Sequence, residues 1–183
     1  MAEQSSLTRT VHELDVAVFE RVAELHSPLL DRTLPPLSEA ASYSRLWIGI
    51  SVVLALRGPR SRRAAVAGMA AVGTTSALAN LAMKQMAQRR RPQSVVPGTR
   101  RLEHPKSSSF PSGHAASAAA FSGVVGREIP ALWLPLNALA GAVAFSRVFT
   151  GVHYPSDVLA GWMLGKSVAG STRRVFNWID DRS

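Results

Sequence analysis

Three short clusters hold residues whose types and spacing could do chemistry: Lys84 with Arg91-Pro92, then Pro111-Ser112-Gly113-His114, then Ser146-Arg147 with His153 and Asp157. As patterns they read K-x6-R-P, P-S-G-H and S-R-x5-H-x3-D, in that order and within about 75 residues. Together they supply three cations, two histidines, a carboxylate and a glycine turn. A phosphoryl group in transfer spreads negative charge over its equatorial oxygens, so positioning and charge stabilisation do most of the catalysis. Lys84, Arg91 and Arg147 can supply that charge, the arginines as forks across two oxygens and the lysine as a point charge. Ser112 and Gly113 open a helix, where free backbone N–H groups and the positive dipole end favour an anion. Plain helix capping by the serine uses the same atoms and is compatible with that role.

His153 is the candidate nucleophile, because a neutral imidazole nitrogen can attack phosphorus and hold it as a phosphohistidine. Asp157 follows one helical turn later and can accept from the other ring nitrogen, fixing the tautomer and stabilising the charge that forms. His114 can protonate the leaving alkoxide and then activate water. Arg89 and Arg90 read as an interfacial basic run, His104 as a loop residue, and His12 and His26 as interfacial. Between Lys84 and Asp157 the only acids are Glu103, Glu128 and Asp157, too few and too scattered to hold hard cations. No metal and no cofactor is therefore expected. Cysteine is absent, which removes disulfides, thiolate zinc sites and thiol nucleophiles.

The three clusters resemble those of the type 2 phosphatidic acid phosphatase (PAP2) superfamily, which also contains the vanadium haloperoxidases. The resemblance covers roughly residues 30–172 and departs from the family pattern in none of the clusters. It implies a metal-independent phosphatase with His153, His114 and Asp157 catalytic and Lys84, Arg91, Ser112, Gly113 and Arg147 holding phosphate. The haloperoxidases are similar in pocket but belong to larger soluble proteins. Residues 44–47, 109–121 and 146–161 also look similar to the phosphatase domain fused to diacylglycerol-kinase-like domains in actinobacteria. The implied substrate is a lipid phosphate: a phosphomonoester or diphosphate of a phospholipid or polyprenyl lipid. An alternative is a prenyl-phosphoribose phosphatase of cell-wall arabinan synthesis, and a different class is a non-catalytic membrane protein of the same fold.

Hydrophobic residues make up 46% of the 183, and the charges fall in blocks between apolar runs. Residues 64–83 and 129–145 carry no charge, and a bilayer span needs about 20 mostly apolar residues. Residues 46–56, 115–125 and 158–175 are shorter or interrupted apolar runs. Five such runs leave too little polar sequence to cover them in water. The net charge of +9 suggests a nucleic-acid binder, but the arginines sit between or after apolar runs without interleaved aromatics. That placement suits lipid head groups, so the expected partners are the bilayer and a lipid phosphate, not nucleic acid. The polar first six residues carry no cleavable leader signal.

The expected fold is all-α, an integral membrane bundle of about six helices. The first, residues 7–30, is amphipathic, with Leu7, Val11, Leu14, Val18, Val22, Leu25 and Leu29 in one stripe. It ends at Pro28 and the Pro35-Pro36 turn. The others run about 43–56, 61–88, 113–126, 130–149 and 155–178. The organisation is an N-terminal helix and turn (1–36), a membrane phosphatase domain (37–178) and a tail (179–183). If the last four helices each cross the membrane, all three clusters arrive at one face. Discounting Lys84, Arg91 and Arg147, that face holds five basic residues against seven opposite, so it is expected to point out of the cytoplasm. The expected location is the cell membrane, multi-pass.

Overall fold

The computed structural model describes residues 2–92, 96–100, 102 and 107–182, and these are helical throughout apart from loops and turns. Eight helices follow in order: α1 (Ala2–Ala23), α2 (Pro28–Ala40), α3 (Arg45–Ala55), α4 (Pro59–Ala77), α5 (Lys84–Ala87), α6 (Gly113–Glu128), α7 (Trp133–Phe149) and α8 (Pro155–Asp180). Among the described residues two stretches, Pro59–Leu81 and Pro130–Phe149, are long and apolar enough to cross a bilayer. Apolar side chains such as Val52, Val66, Leu81, Leu134 and Met163 face outward from the bundle, which suits hydrocarbon surroundings.

α6 is the central helix. Every residue from Ala115 to Gly126 is buried, and the helix packs against α4, α7 and α8. Its alanine-rich face lets α8 come very close. A Cβ on Gly161 would stand 2.3 Å from the Ser112 carbonyl oxygen, and one on Gly165 would stand 2.2 Å from that of Ala116. Glycines one turn apart allow backbones to approach closely in membrane bundles. Further along, Ala169 meets Gly123. The other side of α6 is filled by Trp47, fully buried with its ring 5.1 Å from that of Phe121.

The N-terminal region departs from the single helix expected over 7–30. α1 stops at Ala23 and a second helix begins at Pro28. Buried Arg100 donates to the carbonyls of Ala23 and Leu25 and to Asp31, so it caps α1 and holds the start of α2. Pro28 opens α2 behind the N-cap Ser27, at a position where the missing N–H costs nothing. Pro35 and Pro36, expected in a turn, lie inside α2. Interior proline costs roughly 3 kcal/mol. The helix persists because Leu34 and Ser38 are buried and Asp31 and Ser38 take arginine bonds from elsewhere.

Two further irregularities border the site. Tyr43 and Ser44 take left-handed backbone angles, φ 54° and 60°, in the turn that joins α2 to α3. Residues Leu78–Met83 form a π-helical turn between α4 and α5, where one continuous helix over 61–88 was expected. Such turns change helix register and are frequent near functional sites.

Gly165→Val should therefore unseat α8 from α6, at a cost of about 1–3 kcal/mol or more because the clash is with backbone. A Cβ on Gly170 of the same helix meets nothing within 4 Å, so Gly170→Ala should be neutral or stabilising. Melting of the purified proteins in detergent checks the contrast; equal melting of the two variants would refute the packing account.

Candidate active site

The chain reverses at each end of the bundle, so the end of α5, the start of α6, the end of α7 and the start of α8 meet on one face. The α6 and α8 starts are joined directly, the Ser112 N–H donating to the Asp157 carbonyl at 2.9 Å. A cavity of about 570 Å³ opens there, lined by Arg91, Gly113, His114, Arg147 and His153 among others. The α2–α3 turn, with Ser42, Tyr43, Ser44 and Arg45, forms another wall.

His153 lies in the short loop before α8, 3% exposed. Its Nε2 is 3.3 Å from Arg91 Nη1, and arginine has only donors, so Nε2 must present its lone pair and Nδ1 carry the proton. Nδ1 faces Asp157 Oδ2 at 3.8 Å, within ion-pair reach but longer than a hydrogen bond, and makes no hydrogen bond among the described residues. Catalytic hydrogen bonds are often long in the unliganded state and tighten on binding. Oδ2 of Asp157 also accepts from the Tyr154 backbone N–H at 2.9 Å, which fixes the carboxylate one turn from the histidine.

Arg91 is anchored from below by the Val152 carbonyl at 2.8 Å and the Ser108 carbonyl at 3.2 Å. Buried Arg147 donates from Nη1 to the hydroxyl of Ser38 on α2, while its buried Nε meets no acceptor among the described residues. His114 Nε2 lies 3.2 Å from the hydroxyl of Ser42 in the α2–α3 turn. Ser112 is the N-cap of α6, its hydroxyl accepting from the Ala115 N–H at 3.4 Å; its side chain is buried and does not line the cavity. Gly113 and His114 do reach the wall. Lys84 begins α5, but its side chain lies outside the described residues, as does His104.

Four participants were not read from the sequence. Arg89, assigned there to a surface basic run, bonds Asp157 Oδ1 at 2.7 Å and Asp15 Oδ2 at 2.6 Å. Asp15 is a buried acid on α1, and Ser38 and Ser42 orient Arg147 and His114. None has a local signal, since each acts on a residue at least 68 positions away. His12, expected to be interfacial, stacks edge-on against Tyr154, with ring centroids 5.9 Å apart.

The electrostatics favour a neutral His153 imidazole. Burial pushes the His153 imidazole down from 6.5 to about 4; Asp157 opposes this, while Arg147 and Arg91 reinforce it. Arg89 stays above its ordinary range despite burial, held there by Asp15 and Asp157. Among the described residues no three His, Cys, Asp or Glu side chains come together in a way that could hold a metal ion. A histidine harder to protonate when folded than when unfolded makes the folded state lose stability as pH falls. For His153 that loss should run from about pH 6.5 to about 4 and add nothing below. His153→Asn should lose less stability than wild type across that window in detergent melts; parallel curves would contradict the buried neutral imidazole.

The PAP2 superfamily profile matches residues 64–181. The decaprenylphosphoryl-5-phosphoribose phosphatase of Mycobacterium tuberculosis is 34% identical over 157 residues, covering 85% of this chain and 86% of its own length. Phosphatidylglycerophosphatase B of Bacillus subtilis is 29% identical over 171 residues, covering 86% of this chain and 81% of its own. In three dimensions the chain is similar to the crystal structure of a transmembrane PAP2-type phosphatidylglycerolphosphate phosphatase from Bacillus subtilis. The TM-score is 0.74 at 25% identity, covering 93% of this chain and 88% of that one. With its three motif clusters gathered at one end of an all-helical membrane bundle, the chain belongs to the PAP2 superfamily, as a phosphatase of its membrane lipid-phosphate branch.

Proposed function

We propose that this protein hydrolyses a phosphomonoester carried on a polyprenyl-linked sugar phosphate, through a phosphohistidine on His153. The observation that carries the reading is the meeting of two cavities at one residue. Arg45 lines the polar cavity that holds both histidines, and it also lines an apolar groove of about 650 Å³ between α3 and α7. Leu46, Ile50, Val53 and Leu136 line that groove. A substrate with a phosphoryl end, a second phosphate and a long apolar tail would set these at His153, Arg45 and the groove in turn. The 34% identity to a decaprenylphosphoryl-5-phosphoribose phosphatase supports the same substrate class.

In the first step the Nε2 lone pair of His153 forms a bond to phosphorus and the bond to the leaving alkoxide breaks. Arg91, Arg147 and Lys84 balance the charge on the equatorial oxygens. Protonated His114 gives its proton to the alkoxide. Asp157 accepts from Nδ1 and offsets the positive charge that appears on the ring. In the second step neutral His114 takes a proton from water, the water oxygen bonds to phosphorus, and the P–N bond breaks to release phosphate. No metal takes part.

Purified protein given a panel of lipids should release phosphate fastest from a polyprenyl-phosphoryl phosphoribose. Preference for undecaprenyl diphosphate or phosphatidylglycerophosphate would overturn the substrate reading. His153→Ala should be inactive, and activity should survive excess EDTA; loss in EDTA restored by magnesium would sink the mechanism. In single-turnover phosphorylation His114→Ala should slow the lipid substrate by about 10²–10⁴ but p-nitrophenyl phosphate much less, since a good leaving group needs no acid.

The catalytic face is proposed to point away from the cytoplasm of the cell membrane, because the opposite face is the more basic once the catalytic cations are discounted. Gly98, an exposed position with room for a side chain, offers a test. Gly98→Cys, in a chain otherwise without thiols, should react with a membrane-impermeant maleimide in intact cells. Labelling only after permeabilisation would mean the reverse orientation.

A further inference from the structure

Asp15 belongs to none of the three motif clusters, yet it is 4% exposed and ends at the catalytic centre. Its Oδ1 accepts from the Ser156 backbone N–H at 2.8 Å. Its Oδ2 accepts from Arg89 Nη2 at 2.6 Å and from the Ser156 hydroxyl. The other terminal nitrogen of Arg89, Nη1, donates to Asp157 Oδ1 and to Ser156 Oγ, both at 2.7 Å. Arg89 is thus a fork between two carboxylates, one on α1 and one on α8. The Tyr154 ring lies 4.5 Å from the guanidinium, and Phe19 of α1 packs edge-on to that ring at 6.0 Å. Asp15, Asp157 and the Tyr154 ring thus hold the fork beside the start of α8.

We infer that Asp15 and Arg89 are positioning residues for the nucleophile, setting the orientation and effective charge of Asp157 and, through it, the imidazole of His153. The inference rests on the phosphohistidine reading above. Asp157 has two oxygens, and each has a task. Oδ2 takes the Tyr154 N–H and faces His153, while Oδ1 is pinned by Arg89. Pinning Oδ1 stops the carboxylate from rotating away from the ring. Arg89 alone would nearly neutralise Asp157 and weaken its hold on a positive imidazole. Asp15 counters that, so the trio keeps one net negative charge beside the nucleophile. α1 becomes part of the active site by this route, while its Val11, Leu14 and Val18 face outward.

The test uses the intact chain in detergent micelles with a polyprenyl-phosphoryl phosphoribose as the probe. Asp15→Asn keeps the shape and the acceptor for Ser156 but removes the charge. It should lower kcat by about tenfold or more with KM within about twofold, the usual scale for a group that orients a catalytic one. Arg89→Gln should lose at least as much, and the double variant no more than Arg89→Gln alone, because both act through one bridge. Arg89→Lys, which keeps charge but not the fork, should fall between wild type and Arg89→Gln. It reads the same bridge should Asp15→Asn melt early. Unchanged kcat in folded Asp15→Asn, an effect on KM alone, or losses that multiply in the double variant would each overturn the inference. Inactive wild type or active His153→Ala would instead mean that the phosphohistidine reading itself has failed.

Discussion

The close contact of α6 with α8 is the constraint on which the site depends. Gly161 and Gly165 let the α8 backbone rest almost on the carbonyls of Ser112 and Ala116. That approach is what allows the Ser112 N–H to reach the Asp157 carbonyl and brings the starts of both helices to one point. His114 follows Ser112 by two residues and His153 precedes Asp157 by four, so one packing contact sets the distance between the proposed acid and the proposed nucleophile. Membrane interiors offer no hydrophobic drive for helix association, so backbone proximity and van der Waals contact must supply it.

On that frame the charges are arranged in two tiers. Arg91 and Arg147 stand on the cavity side of His153, where an anion would sit, and both lower its proton affinity. Asp157, Arg89 and Asp15 stand behind it as a bridged series. Burial of a polar group without a partner is costly, and Asp157 meets Arg89, half-buried Arg91 meets the Val152 carbonyl and buried Arg147 meets Ser38 through Nη1, while its Nε has no acceptor among the described residues. The result is a neutral imidazole with its lone pair toward the cations, a pairing that suits attack on a phosphoryl group.

The parts of this protein that local pattern encodes were legible in its sequence. Spacing within the three clusters, and the parity of apolar runs between them, predicted the all-helical membrane bundle and the shared face. Arg91, His114, Arg147 and His153 do meet at one cavity. What failed was long-range. Pro28 read as a helix end because proline disfavours a helical residue before it, yet here it is the first residue of α2. Arg89 read with Arg90 as an interfacial basic run, because nothing within its own segment distinguishes it; only the fold sets Asp15 and Asp157 on either side. Ser38 and Ser42 are similarly silent until α2 is laid across the mouth of the bundle.

The central claim is the covalent intermediate on His153. Wild type given a ³²P-labelled lipid phosphomonoester, and His114→Ala given ³²P-labelled p-nitrophenyl phosphate, should be quenched in alkali within a single turnover, and the labelled peptide sequenced by mass spectrometry. The account predicts an acid-labile, alkali-stable phosphoryl group on His153, present transiently in wild type and accumulating in His114→Ala when the leaving group needs no acid. Label on any other residue, or none in either protein while phosphate is still released, would contradict it.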